Sequence, residues 1–161
     1  VIHMNPSLGT EILSGLNLYV GGSFREKTVN SGTYQQDQGE ATGQVTFDIG
    51  PLSLGYGVSG FVTGFEDKDA AAGKPDYYKS HMYGVAFNVN DDLAVSYNIY
   101  QSDRHLHTNA NGEIEQETKA INVAYTVGGL TLGFQDAKTS NSGYSKSTDN
   151  DTRTISIKTA F

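Results

Sequence analysis

The chain of 161 residues has no cysteine, no tryptophan and only 3 prolines. Without cysteine there is no disulfide framework, no thiolate metal site and no thiol nucleophile. No apolar run approaches the roughly 18 residues that a membrane-spanning helix needs, and the mean hydropathy is negative, which excludes a helical membrane protein. Basic residues are scarce: 11 Lys and Arg stand against 18 Asp and Glu, for a net charge of −7. A nucleic-acid partner is therefore excluded, because binding phosphates needs a basic face. No helical periodicity of useful length and no low-complexity tract is present. Val1 opens no signal-peptide pattern, so an exported protein would have lost one or the chain is a fragment. The length fits one domain at most.

What the sequence has is glycine, 19 of them, and an insistent period of two. At its end, Ile155, Ile157, Thr159 and Phe161 alternate with Thr154, Ser156, Lys158 and Ala160. Successive strand side chains point to opposite faces, so one face is apolar and the other polar. The same pattern recurs upstream. Residues 1–14 are poorly patterned and read as a lead-in segment, and residues 15–161 as strands. The first strand carries Leu16, Leu18, Val20 and Phe24, and the second Val45, Phe47 and Ile49. The third carries Leu52, Leu54, Tyr56, Val58 and Val62; Phe61 and Phe65 fall on its polar face, through a bulge near Gly60 or as inward aromatics. The fourth carries Tyr83, Val85, Phe87 and Val89, and the fifth Leu93, Val95, Tyr97 and Ile99. The sixth carries Ile121, Val123, Tyr125 and Val127, the seventh Leu130, Leu132 and Phe134, and the terminal stretch is the eighth.

The connections keep a rhythm. Long polar loops at 26–39, 66–77, 101–116 and 137–151 alternate with short turns at Gly50-Pro51, Asn90-Asp91-Asp92 and Gly128-Gly129. Four long loops thus gather at one end and three short turns at the other. The polar faces hold Ser, Thr, Asn, Gln, Gly and Ala, where a soluble barrel would carry Lys and Glu along its solvent face; the charges crowd into the loops. This predicts an all-β, antiparallel up-and-down transmembrane β-barrel, apolar outside, with extracellular loops and periplasmic turns.

The hairpin Ala120-Ile121-Asn122-Val123-Ala124-Tyr125-Thr126-Val127-Gly128-Gly129-Leu130-Thr131-Leu132-Gly133-Phe134, with the terminal Phe161, resembles the Gly-Gly-Leu-Thr hairpins and last strand of Gram-negative general porins, alphaproteobacterial members most of all. The resemblance runs from about Gly15 as pattern rather than fixed motif. It implies the C-terminal half of a sixteen-stranded porin: a trimer in the outer membrane, in contact with lipid and lipopolysaccharide, passing small hydrophilic solutes and ions by passive diffusion, with Phe161 as assembly signal. No catalytic residue, cofactor or metal is implied. The inward-folded constriction loop of such porins would belong to the missing half. The alternative is a complete, non-conducting eight-stranded barrel acting as an anchor or adhesin. Eight strands leave an interior that side chains fill, whereas the small inward residues here suit a wet pore.

Parity places Arg25, Gln44, Asp48, Asn88, Asn98, Arg104, Asn122, Gln135 and Lys158 inside as pore-lining residues, with Arg25, Arg104 and Lys158 as a basic side. Lys79, Lys119 and Arg153 have outward parity. They lie ten, eight and eight residues above the periplasmic ends at Val89, Val127 and Phe161. At about 2.5 Å of climb per tilted residue they reach about 20–25 Å, the outer edge of an apolar band about 25 Å tall. They are expected in one layer there, pairing with lipopolysaccharide phosphates. Tyr56, Tyr83, Tyr97 and Tyr125 are expected outward as an interface girdle.

Two clusters invite other chemistry. Ser102-Asp103-Arg104-His105-Leu106-His107 holds nucleophile, acid, base and ligand types, but no third ligand or oxyanion device accompanies them, and a solvated loop is the plainer reading. Glu113, Glu115 and Glu117 are expected on one face and can bridge divalent cations to lipopolysaccharide; a solvated acidic loop is again plainer.

Overall fold

The computed structural model describes residues 14–26, 37–65, 74–106 and 113–159, and the backbone of 2–4. Within these residues the chain is one antiparallel sheet: β1 (Ile2–Met4), β2 (Leu16–Arg25), β3 (Gln38–Ile49), β4 (Leu52–Val62), β5 (Pro75–Asn88), β6 (Leu93–Leu106), β7 (Ile114–Val127), β8 (Leu130–Ser140) and β9 (Asn150–Thr159). Strand order equals sequence order, so every strand pairs with its sequence neighbours, up and down. A three-residue 3₁₀ turn, Ser142–Tyr144, is the one further element described.

The turns follow the twist of the strands. Ile49 pairs with Leu52 across Gly50-Pro51, and Gly50 has φ +55°. Val127 pairs with Leu130 across Gly128 and Gly129, with φ +55° and +80°. Positive φ at both central positions is the type I′ hairpin, which glycine adopts without a Cβ clash. At residues 89–92 the Asn90 Oδ1 accepts from the Asp92 and Leu93 amides at 2.9 and 2.8 Å, closing an Asx-type turn.

The two faces differ as the alternation predicts. The even residues of β3, β5, β6, β7 and β9 share a face with the odd residues of β2, β4 and β8. This face is hollow: grooves run along it, lined by Ser, Thr, Asn, Gln, Gly and Ala. The apolar residues stand on the other side, exposed, with Ile155 at 79% and Ile121 at 53%. Ala120, at 9%, is the one buried hydrophobic among the described residues. The sheet therefore has no apolar core; its oily side is its outside.

Several expectations are corrected. The sheet is not closed among the described residues. The free edge of β2, which a complete eight-stranded barrel would give to β9, is taken by β1, with Ile2 opposite Val20. The lead-in segment thus supplies a strand that its lack of pattern hid. Three of the long loops are shorter than expected, because β3 begins at Gln38, β6 runs to Leu106, β7 starts at Ile114, β8 runs to Ser140 and β9 begins at Asn150; the loop before β5, which begins at Pro75, is shifted rather than shortened. Beyond the apolar band both faces turn polar and the alternation disappears, but the ladder of N–H and C=O groups continues, since it needs no apolar side chain. The register of β4 against β3 and β5 is unbroken through Val62, with Glu40 opposite Phe61 and Phe61 opposite Tyr78. There is no bulge at Gly60, and Phe61 faces the hollow side. Phe65 lies past the strand end, with the Lys74 ammonium 4.9 Å from its ring centre.

Candidate functional site

The hollow face is the candidate site. All nine residues expected to line a pore lie on it by register. Gln44 and Asp48 of β3 and Asn98 of β6 line one groove, Asn122 of β7 and Gln135 of β8 a second, and Asn88 a third beside the 89–92 turn. Arg25 stands opposite Gln38, Lys158 opposite Thr131, and Arg104 opposite Tyr78. The polar groups satisfy one another across strands. Gln135 Nε2 donates to Asn122 Oδ1 at 2.9 Å, and Asn122 Nδ2 donates to Ser96 Oγ at 3.2 Å. Ser53 Oγ donates to Asp48 at 2.5 Å. Chains of this kind fix wall side chains without charge and leave their remaining lone pairs and protons toward the groove.

The three basic residues do not form one wall. Arg25 ends β2 at the long-loop end and Lys158 sits near the short-turn end of β9. Arg104 is engaged: its guanidinium carbon lies 4.9 Å from the centre of the Tyr144 ring, and Nη2 donates to the Tyr144 carbonyl at 3.4 Å. Parity shows which face a charge takes but not its height, and these heights differ.

Tyr144 is the residue that sequence reading missed. The β8–β9 connection, residues 141–149, folds inward over the hollow face. Asn141 Nδ2 donates to the Glu115 carbonyl at 2.9 Å, and the Gly143 amide donates to Gln116 Oε1 at 2.8 Å. Asn141, Tyr144 and Ser147 all take positive φ, of 51°, 57° and 60°, a conformation that non-glycine residues adopt at a cost offset by such anchors. The tyrosine ring reaches β6, where Tyr144 Oη meets Ser102 Oγ at 2.8 Å, and lies 5.6 Å from the Tyr78 ring. Burial raises the Tyr144 pKa, so the phenol is neutral. The only sequence signal was Asn-Ser-Gly at 141–143, a turn former ahead of a lone aromatic.

On the outer face, Lys79, Lys119 and Arg153 point to the apolar side, as their parity requires. Two of them meet a carboxylate of the protein, and the third has one across the pairing. Arg153 Nε donates to Asp136 Oδ2 at 2.8 Å, Lys119 pairs with Glu117, and Lys79 stands directly opposite Asp103. They do not share one hydrogen-bonded rung. Lys119 aligns through Ile99 with Tyr83, four residues past Lys79, and Arg153 aligns through Asp136 with Ile121, two residues past Lys119. The hairpin turns step in the same direction, as strands tilted in a barrel wall do. Phe161 lies outside the described residues.

The four tyrosines also point outward, all toward the short-turn end. Tyr125 is two residues from the end of β7, Tyr56 and Tyr97 four from the starts of β4 and β6, and Tyr83 five from the end of β5. Tyr56 packs on Tyr83 with centroids 5.3 Å apart, and its hydroxyl is hydrogen-bonded to His81 Nδ1 at 3.0 Å.

The suspected catalytic run is dispersed by the strand it lies on. Residues 102–106 belong to β6, not to a loop, so Ser102 and Arg104 face the hollow side while Asp103 and His105 face outward. His105 stacks on Tyr77 at 3.9 Å and pairs with Glu113 at 2.8 Å; His107 lies outside the described residues. Glu115 and Glu117 share the outward face of β7, but the three glutamates have different partners. Glu113 goes to His105, Glu117 to Lys119 and Gln101, and Glu115 stands opposite Asp103. No family model matches the chain, and no curated protein is significantly similar to it, so the functional reading rests on the two faces of this sheet.

Proposed function

We propose that this sheet is part of the wall of an outer-membrane porin, a water-filled channel through which small hydrophilic solutes and ions diffuse passively. The observation that carries the reading is the inverted polarity. Leu54, Val85, Phe87, Ile121, Leu132, Phe134, Ile155 and Ile157 stand exposed on one side, while hydroxyls and amides line the hollow on the other. In water such an oily face is an aggregation surface; in a bilayer it is what a strand shows to lipid. The apolar stretch ends sharply. Above Phe134 stands Asp136, above Ile155 stands Arg153 and above Ile121 stands Lys119, so the outer face changes from hydrocarbon to charge within one residue pair on each of three adjacent strands.

No chemical step is required of the wall. Its hydroxyls and amides replace part of a solute's hydration, and its inward charges bias which ions enter. We read the open sheet as a portion of a larger barrel, with outer-membrane lipid and lipopolysaccharide against its outer face and, as in the porins it resembles, two further copies as partners. The test is conductance: the natural full-length gene product, purified in detergent, should insert into planar bilayers in discrete ohmic steps. A monodisperse protein stable in buffer without detergent would refute the reading.

A further inference from the structure

We propose that the long-loop end of the hollow face carries a binding subsite for an uncharged saccharide. The inference rests on the channel reading for its place in transport, and on the groove alone for binding. Three consecutive rungs of the sheet build the groove. On the middle rung Thr42, Ser59, Ser80 and Ser102 stand in line across β3, β4, β5 and β6, a row of four hydroxyls. On the rung toward the long loops, Glu40, Phe61 and Tyr78 stand in line, the two rings 6.3 Å apart and 23° from parallel. On the rung toward the short turns, Tyr100 closes the row. Tyr144 borders it from the inward-folded connection. The groove, open on one side, is about 550 Å³, within the range of small-ligand sites.

Part of the groove is spent on its own bonds and part is left for a ligand; Thr42 Oγ1 donates to the Val58 carbonyl at 3.4 Å. Ser80 and Ser102 are consumed: Ser80 Oγ is bonded to Tyr100 Oη at 2.9 Å and donates to Ser102 Oγ at 3.0 Å, and Ser102, 1% exposed, is bonded to Tyr144. These bonds hold the rings of Tyr100 and Tyr144 in place. By contrast, the hydroxyls of Ser59 and Tyr78 have no protein hydrogen-bond partner among the described residues. Glu40 accepts at Oε1 from Ser23 at 2.9 Å, which leaves a further oxygen to accept. A pyranose has the matching chemistry: apolar C–H faces that lie on aromatic rings, and an edge of hydroxyls that donate to a carboxylate and exchange bonds with Ser and Tyr hydroxyls. An anionic solute has no counterpart here, because Arg104 is engaged by Tyr144 and the Glu40 carboxylate repels it. A purely aromatic solute would leave the hydroxyl row unmatched.

Saturation-transfer NMR on the full chain in detergent micelles tests this with maltotriose as probe and a polyethylene glycol of similar mass as control. Maltotriose C–H protons should be saturated and the polyether should not. Phe61→Ala and Tyr78→Ala should each weaken binding about three- to tenfold, as loss of a ring contact does. Ser59→Gln, which fills the groove while leaving every ring in place, should weaken it comparably and covers the case in which a ring variant fails to fold. Absence of saturation with the wild-type chain overturns the site. So does equal saturation of the polyether, or unchanged binding in variants that keep the far-UV signature of the sheet. Conductance without sugar binding overturns this inference and leaves the channel standing; sugar binding without conductance supports the subsite and sinks the channel.

Discussion

Placing an arginine at two adjacent positions of β7 separates the membrane reading from its rivals. Val123 points outward, between Val95 and Phe134, and Ala124 points into the hollow, between Ala94 and Gly133. Val123 is four residues from the hairpin end at Val127. At about 2.5 Å of climb per tilted residue it sits about 10 Å above the lower edge of a band about 25 Å tall, near the midplane. A cation on the lipid face at that depth costs about 2–4 kcal/mol. Ala124 faces small neighbours and a groove, so Ala124→Arg should change stability by no more than about 0.5 kcal/mol, the usual range for a solvated site. The two neighbours should therefore differ by at least about 1.5 kcal/mol, roughly tenfold in the folding equilibrium. Urea titration of the protein folded into phospholipid vesicles, read by far-UV circular dichroism, measures the gap. Equal costs would show that the outer face does not meet hydrocarbon. A larger cost at Ala124 would show that the hollow is packed rather than wet.

Three further outcomes are expected. Lys158→Glu should raise the cation-to-anion permeability ratio of the reconstituted channel by roughly twofold or more, because Lys158 lies on the hollow face; an unchanged ratio removes that residue from any role in selectivity. Tyr144 holds its proton more tightly when folded than when free, since burial raises its pKa, so its contribution to docking the 141–149 connection is complete below about pH 10 and is lost as pH rises through the raised value. The protection of the Gly143 amide relative to its intrinsic exchange rate should fall over that window, and Tyr144→Phe should abolish the pH step. Gly129→Val, at φ +80° in the I′ turn, should cost about 1–2 kcal/mol in the same urea titration, and no measurable loss would mean the turn takes another geometry.

The faces of the sheet were legible in the sequence and its edges were not. Alternation at period two assigns Asn98, Asn122 and Gln135 to one side and Val123, Ile155 and Ile157 to the other without any knowledge of pairing, because the pleat alone enforces it. Strand ends escaped because the cue for an end was the loss of apolar residues, and Gln101, Glu115 and Lys138 keep pairing after that cue is gone. The same error placed Ser102 and His105 on a loop, where they could meet, instead of on opposite sides of β6. Register escaped as well: Lys119 and Arg153, each counted eight residues from its strand's lower end, stand two residues apart in the pairing. The subsite was the least legible part. Its hydroxyl row exists only through the register of four strands, and its Tyr144 wall arrives through a backbone conformation that no hydrophobic pattern encodes.

The pairing of each strand with its sequence neighbour has a kinetic consequence. Hairpins close over short stretches of chain, so each costs little loop entropy, and the sheet can grow one strand at a time. The contact of Tyr144 with β6 is the exception: its bonds to Ser102 and Arg104 span 42 and 40 residues and two intervening strands. It can form only after β6, β7 and β8 are in register, which puts it late on the path, where interactions govern the rate of leaving the native state more than the rate of reaching it. The inward-folded connection then acts as a timing element: weakening it should hasten unfolding and leave the speed of folding almost untouched.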